Sequence, residues 1–575
     1  MHNSVKNKDI PYILSFILIS LTIELPFIHT GKLVADIDWL FHASRVEQIY
    51  LNLRHGTLID FIATNTFQHT GSGSFLFYPY FFLYPWALLR FIFNPITSFY
   101  VWQALMTYLS LTIAFYCMKA FSKNSLMSFI FAVVYVFNTY RLYLSFSVFG
   151  EYIASAFLPL VFYGFYKMFF DQQGNNNSVM LLSIGMTLLI YSHLVSVIIT
   201  LEVFALVLVI YSFTGNINNV ISQWKNIFKS ILLTIILCLP ICYLFIFDYI
   251  GKGITSTKLG IMLNLIQPLT LIIGSSVDSV INANSIGLFL IITCLFGWIF
   301  LGKIEGNSKI YVSIYLLGLL FLILASSSFP WYLFEHSILG TIQIPYRYLE
   351  FSAFFFAIIF AKLCFIFFMR KLNLTKSFAI TTTIIITLFS YWVPVKEMYT
   401  KVEDATPTQF QKIKNSTLPA SILNKVNYND QFNCLIQWGE TDYYPQSSIA
   451  KKQNCDSIIK GIIYANDKKI TNVNIKYLPN TIIYKITLPS PETLNLPCVA
   501  YHNTYVKVNG EKIDYKISSR GTVLIPHSIL KSRKIRVEVG FDPGMGYYLC
   551  IVITICAWII ILITGVRRKK NAEEK

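Results

Sequence analysis

Residues 35–56 read ADIDWLFHASRVEQIYLNLRHG and follow directly on the first long apolar segment of the chain. They are the most heavily charged run of its N-terminal third. A helix beginning at Asp38 brings Asp38, His42 and Arg45, at i, i+4 and i+7, onto one face. Phe41, Val46, Ile49, Tyr50 and Leu53 supply apolar surface to rest on a membrane or on neighbouring helices. An acid, an imidazole and a guanidinium are therefore expected together at the rim of a bilayer.

The bilayer itself follows from composition. With 55% hydrophobic, 16% aromatic and 13% charged residues among 575, an ordinary soluble chain is excluded. Apolar runs of about 17–25 residues, the length a helix needs to cross a bilayer, recur from end to end. Spans are expected at 11–29, 98–117, 125–140, 152–170, 179–193, 195–213, 230–249, 285–302, 310–325, 347–368, 377–393 and 546–566. The expected fold class is a polytopic α-helical membrane protein of about 12 spans, with a β-rich external domain before the last one.

A net charge of +17 first suggests nucleic acid. The Lys and Arg residues are dispersed and gather at the ends of apolar runs, so we read them as topology signals and as attraction for anionic membrane lipid. No nucleic-acid partner is expected. With the N-terminus inside, the cytoplasmic connections carry Lys119, Lys123, Lys167, Lys225, Lys229, Lys303, Lys309, Arg370, Lys371 and Lys376, and the tail reads RRKK at 567–570. Both termini are then cytosolic and 394–545 is extracytoplasmic. The first segment has the basic start of a signal peptide, Lys6 and Lys8, but lacks a small-residue cleavage site and reads as a span.

The domain plan is a transmembrane part, 1–393, with a large first external loop at 30–97. Within that loop 75–93 carries Pro79, Pro85 and Arg90, which suits an interfacial or re-entrant segment better than a span. Gly71 to Ser74 reads as a turn. A mixed α/β stretch, 394–470, precedes a β-sandwich-like module at 471–545, where residues alternate in strand fashion. Asn509-Gly510 between two alternating runs signals a hairpin. The final span and basic tail occupy 546–575. Most of the ten cysteines lie in apolar runs and read as core. Cys434, Cys455 and Cys498 lie in the polar segment. A Cys434–Cys455 disulfide is open if that segment is outside the cytosol, although an odd count fixes no pairing.

Asp36 and Asp38 form an Asp-x-Asp just beyond the first span. Carboxylates so spaced hold a divalent cation such as Mg or Mn, or one deprotonates an acceptor hydroxyl; alternatively they solvate the exit of the span. Glu151 opens the helix after the next external loop, either as a second acid or as a simple charge at a helix N-terminus. Arg141 borders the same loop, to bind phosphate or to snorkel. His193 lies near the outer end of a span, as a ligand or as a structural group. Arg347, in QIPYRYLEF, opens its helix after Pro345. It either grips a phosphate oxygen, anchors at the interface with Tyr346 and Tyr348, or pairs with Glu350. Glu24 and Glu202 are acids within apolar runs and so functional candidates. No phosphate-binding loop, dinucleotide fingerprint, HExxH or paired CxxC is present, which argues against a nucleotide-driven pump or a metalloprotease.

The stretch DIDWLFHASRVEQIYLNLRHG resembles the D-x-x-x-H-x-x-R first external loop of bacterial membrane proteins of the YfhO-like and "6-pyruvoyl-tetrahydropterin synthase-related" groups, which belong to the GT-C glycosyltransferase superfamily. The similarity continues through YRLYLSFSVFGEYIASAFLPL, LLIYSHLVSVIIT and QIPYRYLEF, and through YHNTYVKVNGEKIDY, GTVLIP and KIRVEVGFD of the closing β-module. The resemblance implies an enzyme of the bacterial cytoplasmic (inner) membrane that moves a sugar from a polyprenyl-phosphate donor to a cell-envelope glycan acceptor. It implies a catalytic base at Asp36 or Asp38, a second acid at Glu151 and a basic group for the lipid phosphate at Arg347. His42, Arg45, Arg141 and His193 are the further substrate-binding candidates. Two other classes stay open: a lipid-linked oligosaccharide flippase or exporter, and a non-catalytic envelope-assembly protein.

Overall fold

The computed structural model describes residues 9–171, 176–213, 217–255, 260–302, 308–335, 337–372, 375–413, 417–530 and 532–573. Lys6, Lys8 and Lys303 of the charge pattern lie outside the described residues. Among those described, six helices are long and apolar enough to cross a bilayer: Ile10–Thr30, Pro95–Ser122, Leu194–Tyr211, Pro345–Met369, Ser377–Asp404 and Met545–Gly565. Three bent pairs raise the number to nine if each is one span.

That differs from the twelve expected, and the reasons are local. The segment at 125–140 breaks at Asn138, whose side chain caps a new helix by accepting from the Arg141 N–H at 2.9 Å, and the axis turns by 48°. Pro159 and Pro240 sit in the first turns of restarted helices, where a missing N–H costs nothing, and the axes there turn by 44° and 80°. The segment at 285–302 divides at Gly297 into Leu288–Phe296 and Trp298–Leu301. Asn177–Ile190 and Lys309–Leu324 are shorter apolar helices. In the opposite sense, the helix expected to end at 393 runs through Pro394 to Asp404.

The chain divides into two compact units. The first comprises Met1–Lys32, Phe99–Thr234 and Lys258–Ala405 and is helical. Its core is aromatic: Phe162 meets Phe354 and Phe355, and Phe165 stacks on Phe204 with centroids 4.0 Å apart. Leu158–Phe169 lies close against Asn176–Ile190 because Gly164 and Gly185 face the neighbouring backbone. A Cβ on Gly164 would stand 2.6 Å from the Leu182 nitrogen.

The second unit comprises Leu33–Ser98, Ile235–Thr257 and Thr406–Lys575. It therefore joins the segment 33–98 to the C-terminal β region, which the sequence analysis treats as separate domains. Burial is the cause: Phe61, Phe77, Leu244, Tyr444, Val499, Tyr501, Phe541 and Tyr547 share one apolar core. The loop is laid on by backbone bonds too, with the Val499 N–H donating to the Thr70 carbonyl at 2.8 Å. Within it, residues 75–93 form the short helices Ser74–Phe77 and Tyr84–Leu89 rather than a span.

Strand β1 (Lys32–Ala35) pairs with β2 (Ser421–Asn424). The sandwich follows as β3 (Ile463–Ala465), β4 (Lys468–Ile470), β5 (Val473–Leu478), β6 (Thr481–Thr487), β7 (Leu494–Val499), β8 (Thr504–Val508), β9 (Glu511–Ile513), β10 (Lys516–Ile517), β11 (Thr522–Ile525) and β12 (Lys534–Phe541). They make two five-stranded sheets, in the orders β10-β11-β7-β3-β4 and β5-β6-β12-β8-β9. Inward residues of both, including Leu496, Val523, Ile482, Val506 and Val537, fill a common core. Asn509 and Gly510 turn β8 into β9 with φ of 51° and 97°, as a type I′ turn requires. Cys434 and Cys455 are free buried thiols, so the disulfide left open above does not form.

Candidate active site

The two units each carry a cluster of ionisable side chains. In the first, Arg347 ends a short turn at Pro345–Arg347 and leads into the helix Tyr348–Ile366. Its guanidinium donates to the Ile342 carbonyl at 2.7 Å and to the Gln343 side-chain oxygen at 3.2 Å. Its Nε lies 3.4 Å from Glu151 Oε2. Glu151 is buried and accepts at its other oxygen from the Tyr140 hydroxyl at 2.6 Å. Two residues that sequence reading held apart, as second acid and phosphate-binding cation, are thus an ion pair. Glu350, the alternative partner considered for Arg347, lies instead within electrostatic reach of Glu151 and Arg141. One of its oxygens is buried with no hydrogen-bond partner.

Arg141 is buried, donating to Ser155 Oγ at 2.8 Å and Ser110 Oγ at 2.6 Å, and it packs over the Tyr152 ring at 4.5 Å. Hydroxyls and a π-face satisfy the guanidinium where water is excluded. His193 caps the head of Leu194–Tyr211 without a side-chain cap bond. Its Nδ1 stands 2.9 Å from Ser196 Oγ, and Arg347 is within electrostatic reach.

In the second unit the helix Trp39–Arg54 starts behind Asp38, as the spacing predicts, and its N-terminus favours negative charge there. His42 and Arg45 do meet: Arg45 Nη2 lies 2.7 Å from His42 Nδ1. A guanidinium only donates, so Nδ1 accepts and the imidazole carries its proton on Nε2. Arg45 is wholly buried, sandwiched between the Phe41 and Tyr78 rings at 4.5 Å each and donating to the Pro79 carbonyl at 2.9 Å. Burial lowers its pKa to about 10, which leaves it charged at neutral pH and holding the turn at 78–79. The helix is fixed further along by the buried ion pair of Glu47 with Arg90.

Asp36 and Asp38 have different surroundings. Asp36 Oδ1 accepts from the Ile37 N–H at 2.9 Å, closing its own turn. Asp38 has a different acidic neighbour, Asp442, which sequence reading missed along with Glu440. Both belong to the stretch GETDYYP at 439–445, a run of two acids and two tyrosines that was the one available signal. Burial, then the charge of Asp38, pushes the Asp442 carboxyl up to about 7. Burial pushes Glu440 up to about 8, even though Gln68 Nε2 approaches one of its oxygens at 3.4 Å.

Backbone strain surrounds this acid cluster. Ile37, Gln68 and Tyr443 have φ of 29°, 50° and 66°, left-handed values that non-glycine residues rarely adopt. Each costs of the order of 1–3 kcal/mol, held in place by the surrounding packing. As for a cation, no group of three or more His, Cys, Asp or Glu is set to hold a metal among the described residues.

No family model matches the chain, and no curated protein does. Among solved structures it is similar to the crystal structure of ArnT from Cupriavidus metallidurans bound to undecaprenyl phosphate, at 9% identity over 77% of this chain and 89% of that one, with a TM-score of 0.43. It is also similar to the single-particle cryo-EM structure of the arabinofuranosyltransferase AftD from mycobacteria, at 12% identity over 93% of this chain and 40% of that one, with a TM-score of 0.43.

Proposed function

We propose that the chain is an integral membrane glycosyltransferase that transfers a sugar from a polyprenyl-phosphate donor to an envelope glycan or polymer on the outer face of the bacterial cytoplasmic membrane. The observation that carries the reading is the carboxyl pair Asp38 and Asp442. Asp38 stands at a helix N-terminus, which favours its carboxylate, beside an acid that titrates near pH 7. Two carboxyls whose environments differ in this way suit general acid–base work.

Asp38 takes the proton of the acceptor hydroxyl as that oxygen attacks the anomeric carbon. The bond from that carbon to the phosphate oxygen breaks, and its electron pair leaves on the polyprenyl phosphate. The departing phosphate gains charge and calls for a fixed cation. Asp36, bonded to its own turn, is the weaker candidate for base. His42 orients Arg45, and that pair supports the acid-bearing helix.

Replacing Asp38→Asn is expected to abolish transfer while expression stays intact, measured as lipid-linked intermediates and surface glycans in cells carrying either form. Normal glycans in the variant would remove the assigned base. A second reading, a lipid-linked oligosaccharide exporter, is favoured by the buried acids Glu24 and Glu350 within apolar helices. Sealed vesicles that move lipid-linked sugar without forming product would establish it instead.

A further inference from the structure

The outer face of the sheet β5-β6-β12-β8-β9 carries charge that the fold itself does not need. Lys476, Lys485, Lys507, Lys512, Lys534 and Arg536 alternate with the inward core residues of their strands, so all six stand on that one face. Opposed to them, on the same face, is Glu538. It is shared at long range, 3.6 Å from Lys507 Nζ and 3.8 Å from Arg536 Nη2.

The register makes this costly. Lys485 lies directly opposite Arg536, and Lys507 directly opposite Lys512. Like charges in such positions destabilise a sheet. Lysines on edge strands guard against edge-to-edge pairing, which accounts for Lys476 on β5 and Lys512 on β9. It does not account for Lys485 and Arg536, which lie on the interior strands β6 and β12.

The positive rows also border a depression. A groove of about 390 Å³ opens on this face, lined by His55, Thr57, Thr481, Ile483, Arg536 and Glu538 among others. It offers hydroxyls and an imidazole beside a guanidinium, groups that bond sugar or polyol oxygens as readily as an anion. The row Lys476, Ile483, Glu538, Lys507 and Lys512 crosses all five strands, roughly 19 Å at 4.8 Å per strand, with lysines at both ends. A row of that length fits an extended chain better than a single small anion.

We propose that this sheet face docks a polyanionic glycan or polyol-phosphate chain, with one repeat unit seated in the groove and its charged neighbours laid along the lysine rows. The proposal deepens the function above and rests on that reading for calling the bound chain an acceptor. Docking itself is independent of transfer.

The full-length chain in phosphatidylcholine nanodiscs is titrated against fluorescent poly(glycerol phosphate) and polygalacturonate, with neutral dextran as control, at about 0.1 M salt, where screening acts over about 10 Å. At least one of the polyanions is expected to bind, and neutral dextran not to. The double variant Lys485→Gln/Arg536→Gln is expected to weaken that binding about tenfold. Lys468→Gln/Lys469→Gln, the same charge change on the opposite sheet, is expected to leave it unchanged.

Equal weakening by both variants, or by neither, overturns the proposal, as does dextran binding as tightly as the polyanions. Phosphatidylglycerol vesicles form a separate arm. If they bind, lose affinity in the Lys485→Gln/Arg536→Gln variant, and the polyanions do not, the face belongs to lipid and the proposal fails. Because no transfer is measured, an inactive Asp38→Asn chain that still binds separates the failure of one idea from the failure of the other.

Discussion

Two clusters of buried charge, one in each unit, are arranged in opposite ways. In the helical unit Arg347 faces Glu151, and Arg141 lies near Glu350 with two serine hydroxyls on its guanidinium. In the other unit Asp38, Glu440 and Asp442 gather one sign of charge. A low-dielectric interior tolerates opposite charges only as partners, so such a pair persists as architecture. Buried acids, with like charge beside them as a lesser cause, relieve themselves by holding protons, which brings the titration of Glu440 and Asp442 close to neutral pH, where proton transfer is useful. The first arrangement can bind and position; the second can exchange a proton.

That contrast is most easily broken at Arg347. Arg347→Gln leaves Glu151 buried without its cation, and the expected loss is about 3–5 kcal/mol in unfolding of the purified protein. Adding Glu151→Gln should recover most of it, since a neutral pair needs no counter-charge. If the single variant is as stable as the parent, the pairing is incidental.

A smaller effect sharpens the other side. Glu440 holds its proton up to about pH 8 when folded, against an ordinary value of 4.5. The folded state therefore keeps a proton that the unfolded chain releases, and stability falls as pH rises across that window, then levels. Glu440→Gln carries no such proton. Relative to it, the parent should lose up to about 1.4 kcal/mol per pH unit between the two values. Parallel stability curves for the two proteins would show that Glu440 is not raised.

Asp442→Asn acts on rate more than on stability. Asp442 titrates near 7, so an inflection in the pH–rate profile near that value is expected for the parent and should disappear in the variant. The smallest change is expected for Asp36→Asn. An amide oxygen still accepts from Ile37, and turnover should fall by less than about threefold, against a loss of about a thousandfold for Asp38→Asn. Equal losses at the two positions would move the base to Asp36.

Local features were open to reading without coordinates. The helix behind Asp38 and the meeting of His42 with Arg45 follow from spacing along one helix. The hairpin at Asn509-Gly510 and the short helices around Pro79 and Pro85 follow from backbone preference. Twelve spans did not emerge because hydropathy measures length and greasiness, whereas the turns of 44°, 48° and 80° depend on where a helix is capped and restarted. Glu440 and Asp442 were missed because nothing in the spacing of GETDYYP points to a helix that begins four hundred residues earlier. Arg45 and Arg141 read from sequence as substrate-binding candidates, Arg141 alternatively as a snorkelling cation; in the fold carbonyls, hydroxyls and aromatic rings enclose them.

From residue order and composition alone came a mainly helical chain with several apolar helices of membrane-spanning length, a β-built part before the last of them and an acid heading the helix at 39–54. Burying apolar length and setting hydrogen-bond period are near-neighbour matters, and sequence records them directly. Which acid stands beside Asp38, which cation beside Glu151, and which lysines oppose one another across a sheet were decided only by tertiary structure. Those pairings join residues remote in the chain, and their energies depend on distance and on the exclusion of water, neither of which exists until the chain has folded.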